Sequence, residues 1–207
     1  MPTQDYRPAT FNLSGLTGIS DQTLEMHFGL YQGYVKNTNL LHEQLMTRQQ
    51  KNAPSGSDPL YAELVRRLGF EYGGMVLHEY YFSNLAPQGR DKPSNQLQQA
   101  LQDSFGGYDA WKTAFVAVGE MRGVGWAILY QDPATGRLSN HWITLHHDGV
   151  PSGFSPIIVM DVWEHAYLLD YKPADKEKYI EAFFSNVNWH VVNERLTQAA
   201  GSRLIAA

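Results

Sequence analysis

The stretch DVWEHAY, residues 161–167, follows directly on the apolar run Pro156-Ile157-Ile158-Val159-Met160, and its reading decides how the chain is organised. A run of that composition, rich in β-branched residues, predicts a strand buried on both faces. A buried strand that ends on a carboxylate needs a hydrogen bond, an opposite charge or a metal to compensate it. Two readings are open at this point. Asp161 caps a following helix, with Glu164 three residues on making a capping-box-like start. Alternatively, Asp161 and His165, four apart, share one face of a helical turn and form half of a metal site.

Working outward, residues 21–50 and 58–85 each carry helical periodicity, with Asp21 as the expected cap of the first. The turn-rich NAPSGSDP (52–59) between them predicts an antiparallel hairpin. PQGRDKPSN (87–95) reads as a linker, followed by shorter helices around 94–105 and 108–121. GWAILYQ (125–131) and HWITLHH (141–147) flank DPATGRLSN and predict a β-hairpin with a long loop, to which PIIVMD adds a third strand. A single final helix is expected over 174–198, its apolar face made by Phe183, Phe184, Val187 and Val191. The fold class is therefore α+β: an N-terminal antiparallel helical hairpin domain (1–88), then a C-terminal domain (89–207) with a small three-stranded antiparallel sheet covered by helices.

Composition narrows the chemistry. With 16 basic and 21 acidic residues the 207-residue chain carries a net charge of −5, which argues against a nucleic-acid-binding surface. No segment approaches the roughly 18 apolar residues of a membrane span. The N-terminus MPTQDYRPATFNLSG has neither a basic nor an apolar leader region, so the expected location is cytoplasmic. The absence of cysteine removes disulfides, thiolate catalysis and sulfur metal sites together. Any metal has to be held by imidazole and carboxylate.

Eight histidines are available, at positions 27, 42, 78, 141, 146, 147, 165 and 190. His42, His141 and His190 read as surface or satisfied core residues. His27 stands among Leu24, Met26, Phe28, Leu30 and Tyr31, and His78 lies in the apolar GGMVLHEYYF. One histidine from each hairpin helix plus Asp161 and His165 would make three imidazoles and a carboxylate, a set suited to iron, manganese or zinc. Spacing alone leaves that open.

DVWEHAY, with NVNW (186–189), GVGWAIL (123–129), DQTLEMH (21–27) and LHEYYFSNL (77–85), resembles the iron/manganese superoxide dismutase family, in the family's order and over essentially the whole chain. The resemblance implies His27, His78, Asp161 and His165 as ligands of one iron or manganese ion per subunit, iron slightly favoured. Superoxide is the implied substrate, and a homodimer the implied assembly, with pairing into tetramers left open. In the family the counterpart of Glu164 reaches across the dimer to the other subunit's ligand histidine. Tyr34 takes the place of the gateway tyrosine and Phe82 that of a usual tryptophan, while Trp126 and Trp163 wall the pocket. His146 falls where some members carry a hydrogen-bond donor that tunes the metal, with His147 as its competitor.

Departures from the family pattern carry expectations of their own. Tyr34 follows His27 by seven residues instead of eight, which predicts a regular first helix without an inserted residue. Tyr31 stands for a histidine and Leu168 for the tyrosine that bridges to it, so both halves of that contact are lost together. Gly74 leaves no donor on the second helix. The family's guiding arginine has no clear counterpart in YKPADKEKY, where Lys172 and Lys176 are the candidates. Two other classes compete with the dismutase reading. A zinc hydrolase would use the same ligands without a redox cycle, and a non-catalytic metal-binding relative would keep the fold alone.

Overall fold

The computed structural model describes residues 4–51 and 53–200. Helices α1 (Asp21–Lys51) and α2 (Pro59–Ser83) form the antiparallel hairpin. Ser20, not Asp21, caps α1: its Oγ accepts from the Thr23 N–H at 3.1 Å, satisfying one of the orphan donors of the first turn. Asp21 turns back instead and accepts from the Ser14 hydroxyl (2.8 Å) and the Gly15 N–H (3.1 Å). Asp58 caps α2 through Leu60 N–H at 3.0 Å, and Pro59 occupies the first helical position, where no donor is missed. Asn52, the first residue of the expected connection, lies outside the described residues. Helix α1 is uninterrupted, so His27, Tyr31 and Tyr34 point to one side, toward α2.

After α3 (Asn95–Phe105) and α4 (Tyr108–Glu120) come β1 (Gly125–Gln131), β2 (Leu138–Thr144) and β3 (Ser155–Asp161). They form one antiparallel sheet in the order β2-β1-β3. Every residue of the central β1 is buried. Trp126 lies opposite Ile143 on one side and Asp161 on the other. Opposed residues of an antiparallel pair project to the same face, so this register sets the Trp126 indole beside the Asp161 carboxylate. One contiguous core joins the hairpin (Leu24, Met75, Phe82) to the sheet (Ile128, Ile158) and to the last helices (Phe183, Leu196). Among the described residues no helix is long and apolar enough to cross a membrane.

Two elements differ from expectation. Strand β2 begins at Leu138 and ends at Thr144, three residues earlier than HWITLHH suggested. The loop closes tightly around Asp132, which accepts from Ala134 N–H and the Thr135 hydroxyl. At the other end Leu145 takes a φ of +54°, a left-handed conformation no strand continues through, and His146 and His147 leave the sheet in a turn. The single final helix is in fact two, α5 (Lys176–Ser185) and α6 (Trp189–Ala200). The break is NVN. Asn186 Nδ2 donates to Ala182 O and Thr17 O, and its Oδ1 accepts from Thr17 N–H. Asn188 N–H and Trp189 N–H then bond to Asn84 O and Arg90 O. These backbone groups serve the 84–90 connection instead of a helix. The buried face accordingly shifts to Phe183, Val187, Val192 and Leu196, leaving Val191 half-buried.

Candidate metal centre

Four elements deliver one polar cluster into the apolar interior. His27 comes from α1, His78 from α2, Asp161 from the end of β3, and His165 from a 3-10 turn at Glu164–Ala166. One ligand atom from each lies within 4.8 Å of all the others. The Nε2 atoms of His27 and His165 each stand 3.1 Å from Asp161 Oδ2, and that of His78 stands 3.7 Å away. His27, His78 and Asp161 are fully buried, and the His165 side chain is 17% exposed.

The local sequence explains why DVWEH can do this. Asp161 Oδ1 accepts the Trp163 N–H at 2.8 Å, which turns the chain out of the strand and leaves Oδ2 for the histidines. The 3-10 turn is capped by no side chain, so the capping-box reading of Asp161 and Glu164 does not describe it. Behind Asp161, Tyr179 donates to its carbonyl at 2.6 Å and pairs with the Tyr81 hydroxyl at 3.2 Å. His78 Nδ1 bonds to Gly74 O at 2.6 Å. A carbonyl can only accept, so the proton sits on Nδ1 and the Nε2 lone pair faces the cluster. Among the described residues that Nε2 has no hydrogen-bond partner, despite complete burial.

The donor set therefore fits a cation. Three imidazole nitrogens converge on one carboxylate oxygen, and a buried acceptor is left without a proton to accept. Burial holds His27 and His78 below the usual histidine range, outweighing the pull of Asp161. Burial alone would raise Asp161, but His165 and His27 together leave it lowered. Neutral His27 and His78 beside an ionised carboxylate are the protonation states that hard-to-borderline metals require.

Around this cluster stand aromatic walls. Phe82 packs edge-on to His27 at 4.9 Å and Trp126 edge-on to His78 at 5.0 Å. Trp163 stacks on both His146 (4.7 Å) and His165 (5.6 Å). Tyr34 lies against His78 at 5.2 Å, a fit that requires Gly74, since a β-carbon there would meet the Tyr34 ring at 2.6 Å. His146 is buried and engaged at both nitrogens, receiving Trp126 Nε1–H at 3.1 Å on Nδ1 and meeting Tyr34 Oη at 2.8 Å through Nε2. Indole N–H only donates, so neutral His146 carries its proton on Nε2 and gives it to the Tyr34 oxygen. Burial pushes His146 down to about 4, which keeps it neutral near pH 7. His147 faces outward toward Asp148.

Other expected residues stand further out. Tyr31 donates to Glu79 Oε1 at 2.8 Å and accepts the Ala9 N–H at 2.9 Å, so its hydroxyl is occupied within the chain. Glu164 and Leu168 are on the surface. Lys172 is exposed; Lys176 donates to Met121 O at 3.1 Å. Sequence reasoning missed Tyr81, Tyr179 and Phe70, the last lying 4.6 Å from the His146 ring. Nothing in the sequence distinguishes those aromatics from ordinary core residues. It also missed Arg67 and Glu71, whose four-residue spacing was the available signal.

Comparison with known proteins places this geometry. Residues 93–195 match the family model described as iron/manganese superoxide dismutases, C-terminal domain. The chain is 40% identical over 187 residues to "Superoxide dismutase [Fe]" of Aquifex aeolicus (strain VF5), covering 89% of this chain and 87% of that one. It is 35% identical over 182 residues to "Superoxide dismutase [Mn] 2" of Haloferax volcanii (87% and 88%). It is 33% identical over 183 residues to "Superoxide dismutase [Mn]" of Mycolicibacterium smegmatis (87% and 86%). Relatives named for either metal thus align along most of the chain, and it belongs to the iron/manganese superoxide dismutase family.

Proposed function

We infer that this chain is a superoxide dismutase whose redox metal is held by His27, His78, Asp161 and His165. The observation that carries the reading is the convergence of three Nε2 atoms on Asp161 Oδ2, with His78 Nε2 buried and unpartnered. Bound iron or manganese would supply a one-electron couple between divalent and trivalent states, oxidising one superoxide to dioxygen and reducing the next to peroxide. The protein supplies the rest. His78 is held in the ligating tautomer by Gly74 O, the kind of outer contact that fixes ring orientation. Phe82, Trp126 and Trp163 exclude bulk water and limit entry to small molecules. Tyr34 accepts from His146 Nε2–H and keeps its own proton for donation. Burial raises its hydroxyl to about 12, so it is protonated at working pH and can deliver a proton to the reduced substrate. Trp126 fixes the tautomer of His146, so His146 acts on the centre through Tyr34.

Of the two metals we favour iron, because the relative 40% identical to this chain is named for iron while those at 35% and 33% are named for manganese. We read the active form as a two-fold dimer. Glu164 projects outward from the ligand-bearing turn beside exposed Leu168 and Leu169, and a self-complementary interface would use such a contact twice. Loading the metal-free protein separately with iron, manganese or zinc and following superoxide decay tests the assignment. Iron or manganese restores turnover under this reading and zinc does not. Activity with zinc alone, or none with any metal, overturns it.

A further inference from the structure

Superoxide is an anion and the chain carries a net charge of −5, so capture needs a local positive field at the site's mouth. Lys176 is only half-buried, but its ammonium is committed to Met121 O and lies 5.8 Å over the Trp142 ring. A different cation stands beside the Tyr34–His146 pair. Arg67, on the outer face of α2, stacks its guanidinium on Phe70 at 4.1 Å. Phe70 in turn packs on His146 at 4.6 Å and Tyr34 at 6.1 Å. The guanidinium is pinned by Glu71 Oε1, at 2.7 Å from Nε and 2.6 Å from Nη2. Glu71 is itself buried, and its second oxygen takes Asn37 Nδ2 of α1 at 3.2 Å.

We propose that Arg67, positioned by Glu71 and Phe70, is the cation that draws superoxide to the Tyr34–His146 entrance. This rests on the dismutase reading above. The pair is asymmetric: the carboxylate is 3% exposed and the arginine side chain 50%. The side facing solvent is therefore positive, although the two charges sum to zero. Two bonds to Glu71 use two of the five guanidinium N–H groups, and stacking on Phe70 fixes the plane, a fit Lys cannot reproduce. Phe70 touches both the guanidinium and the Tyr34–His146 pair, which places the exposed charge next to those two rings. The competing explanation is a purely structural clamp between α1 and α2.

The test compares wild type, Arg67→Gln and the double variant Arg67→Gln/Glu71→Gln, each loaded with iron or manganese. The double variant strands no buried carboxylate. Three readouts are taken: kcat/KM for superoxide against ionic strength, the dissociation constant of azide as a monoanion probe, and Tm. Guidance predicts a loss in kcat/KM of roughly 3–10-fold at low ionic strength in both variants, shrinking toward wild type at high salt as the field is screened. Azide affinity falls in parallel. A double variant equal to wild type at low salt overturns the proposal. So does a loss independent of salt that merely follows a lowered Tm, which is the signature of a clamp. If wild type fails to dismutate while azide affinity still depends on Arg67 and on salt, the dismutase reading falls and the anion-guiding role stands.

Discussion

Replacing Gly74 by alanine sets a gain in helix propensity against a defined collision. In the interior of α2, alanine should gain about 0.8–1.0 kcal/mol over glycine. The added β-carbon, however, would lie 2.6, 2.8 and 2.9 Å from Cδ1, Cε1 and Cγ of Tyr34. Ordinary carbon contacts are about 3.5–4.0 Å, so the ring has to retreat by about 1 Å. Overpacking of this kind costs about 1–3 kcal/mol, leaving a net destabilisation of about 0–2 kcal/mol. The functional effect is larger. A retreat of that size breaks the 2.8 Å contact between Tyr34 Oη and His146 Nε2, and misplacing a reacting group by 1 Å costs about 100-fold. Gly74→Ala should therefore hold metal and melt within a few degrees of wild type while kcat falls by about 10- to 100-fold. The control is Gly69→Ala on the same helix, where a β-carbon meets nothing within 4 Å. That variant should gain about 1 kcal/mol and keep full activity. Stopped-flow superoxide decay with thermal melts reads both, and full activity in Gly74→Ala would refute the packing argument.

Asp161→Ala or His165→Ala should abolish metal binding while retaining most of the helical signal. Elemental analysis with far-ultraviolet circular dichroism checks this, and full occupancy in either variant would contradict the ligand set. The metal-free protein should be acid-labile. His27, His78 and His146 all have lowered pKa values in the fold, so the unfolded chain takes up protons first as pH drops below 6.5, and stability falls with it. For His146, whose folded value is about 4, the loss between pH 6.5 and 4 amounts to about 3 kcal/mol. Asp161 adds to it below 3.8, since its pKa is lowered too. Denaturant melts of the metal-free protein across that window should show a steady decline, and a flat profile would contradict the burial assigned to these rings. Glu164→Ala should weaken both self-association and metal retention, read by sedimentation and by metal content after dialysis. A wild-type monomer at micromolar concentration would dispose of the dimer.

Much of this was legible in the sequence because the relevant signals are local. The buried run ending on Asp161, the hairpin periodicity and the Asp161–His165 spacing each depend on a few neighbouring residues. What escaped depends on distant partners. The break between α5 and α6 leaves an unbroken apolar pattern, and only the bonds from Asn186 to Thr17 and from Asn188 to Asn84 explain it. The early end of β2 follows from a left-handed Leu145, a residue type that gives no warning of that conformation. Tyr31 and His146 could be singled out by position, but the occupation of Tyr31 by Ala9 and Glu79, and the tautomer set by Trp126, follow from packing between elements. The Arg67–Glu71 pair resembled any solvated helix-face ion pair until Phe70 set it beside His146.

The central claim is that one redox metal sits among His27, His78, Asp161 and His165, and the direct test is anomalous diffraction from crystals of catalytically active protein. Data collected on either side of the iron and manganese absorption edges should give a single peak per chain, bounded by the three Nε2 atoms and Asp161 Oδ2. An active crystal with its peak elsewhere, or one showing only zinc at this position, would contradict the account.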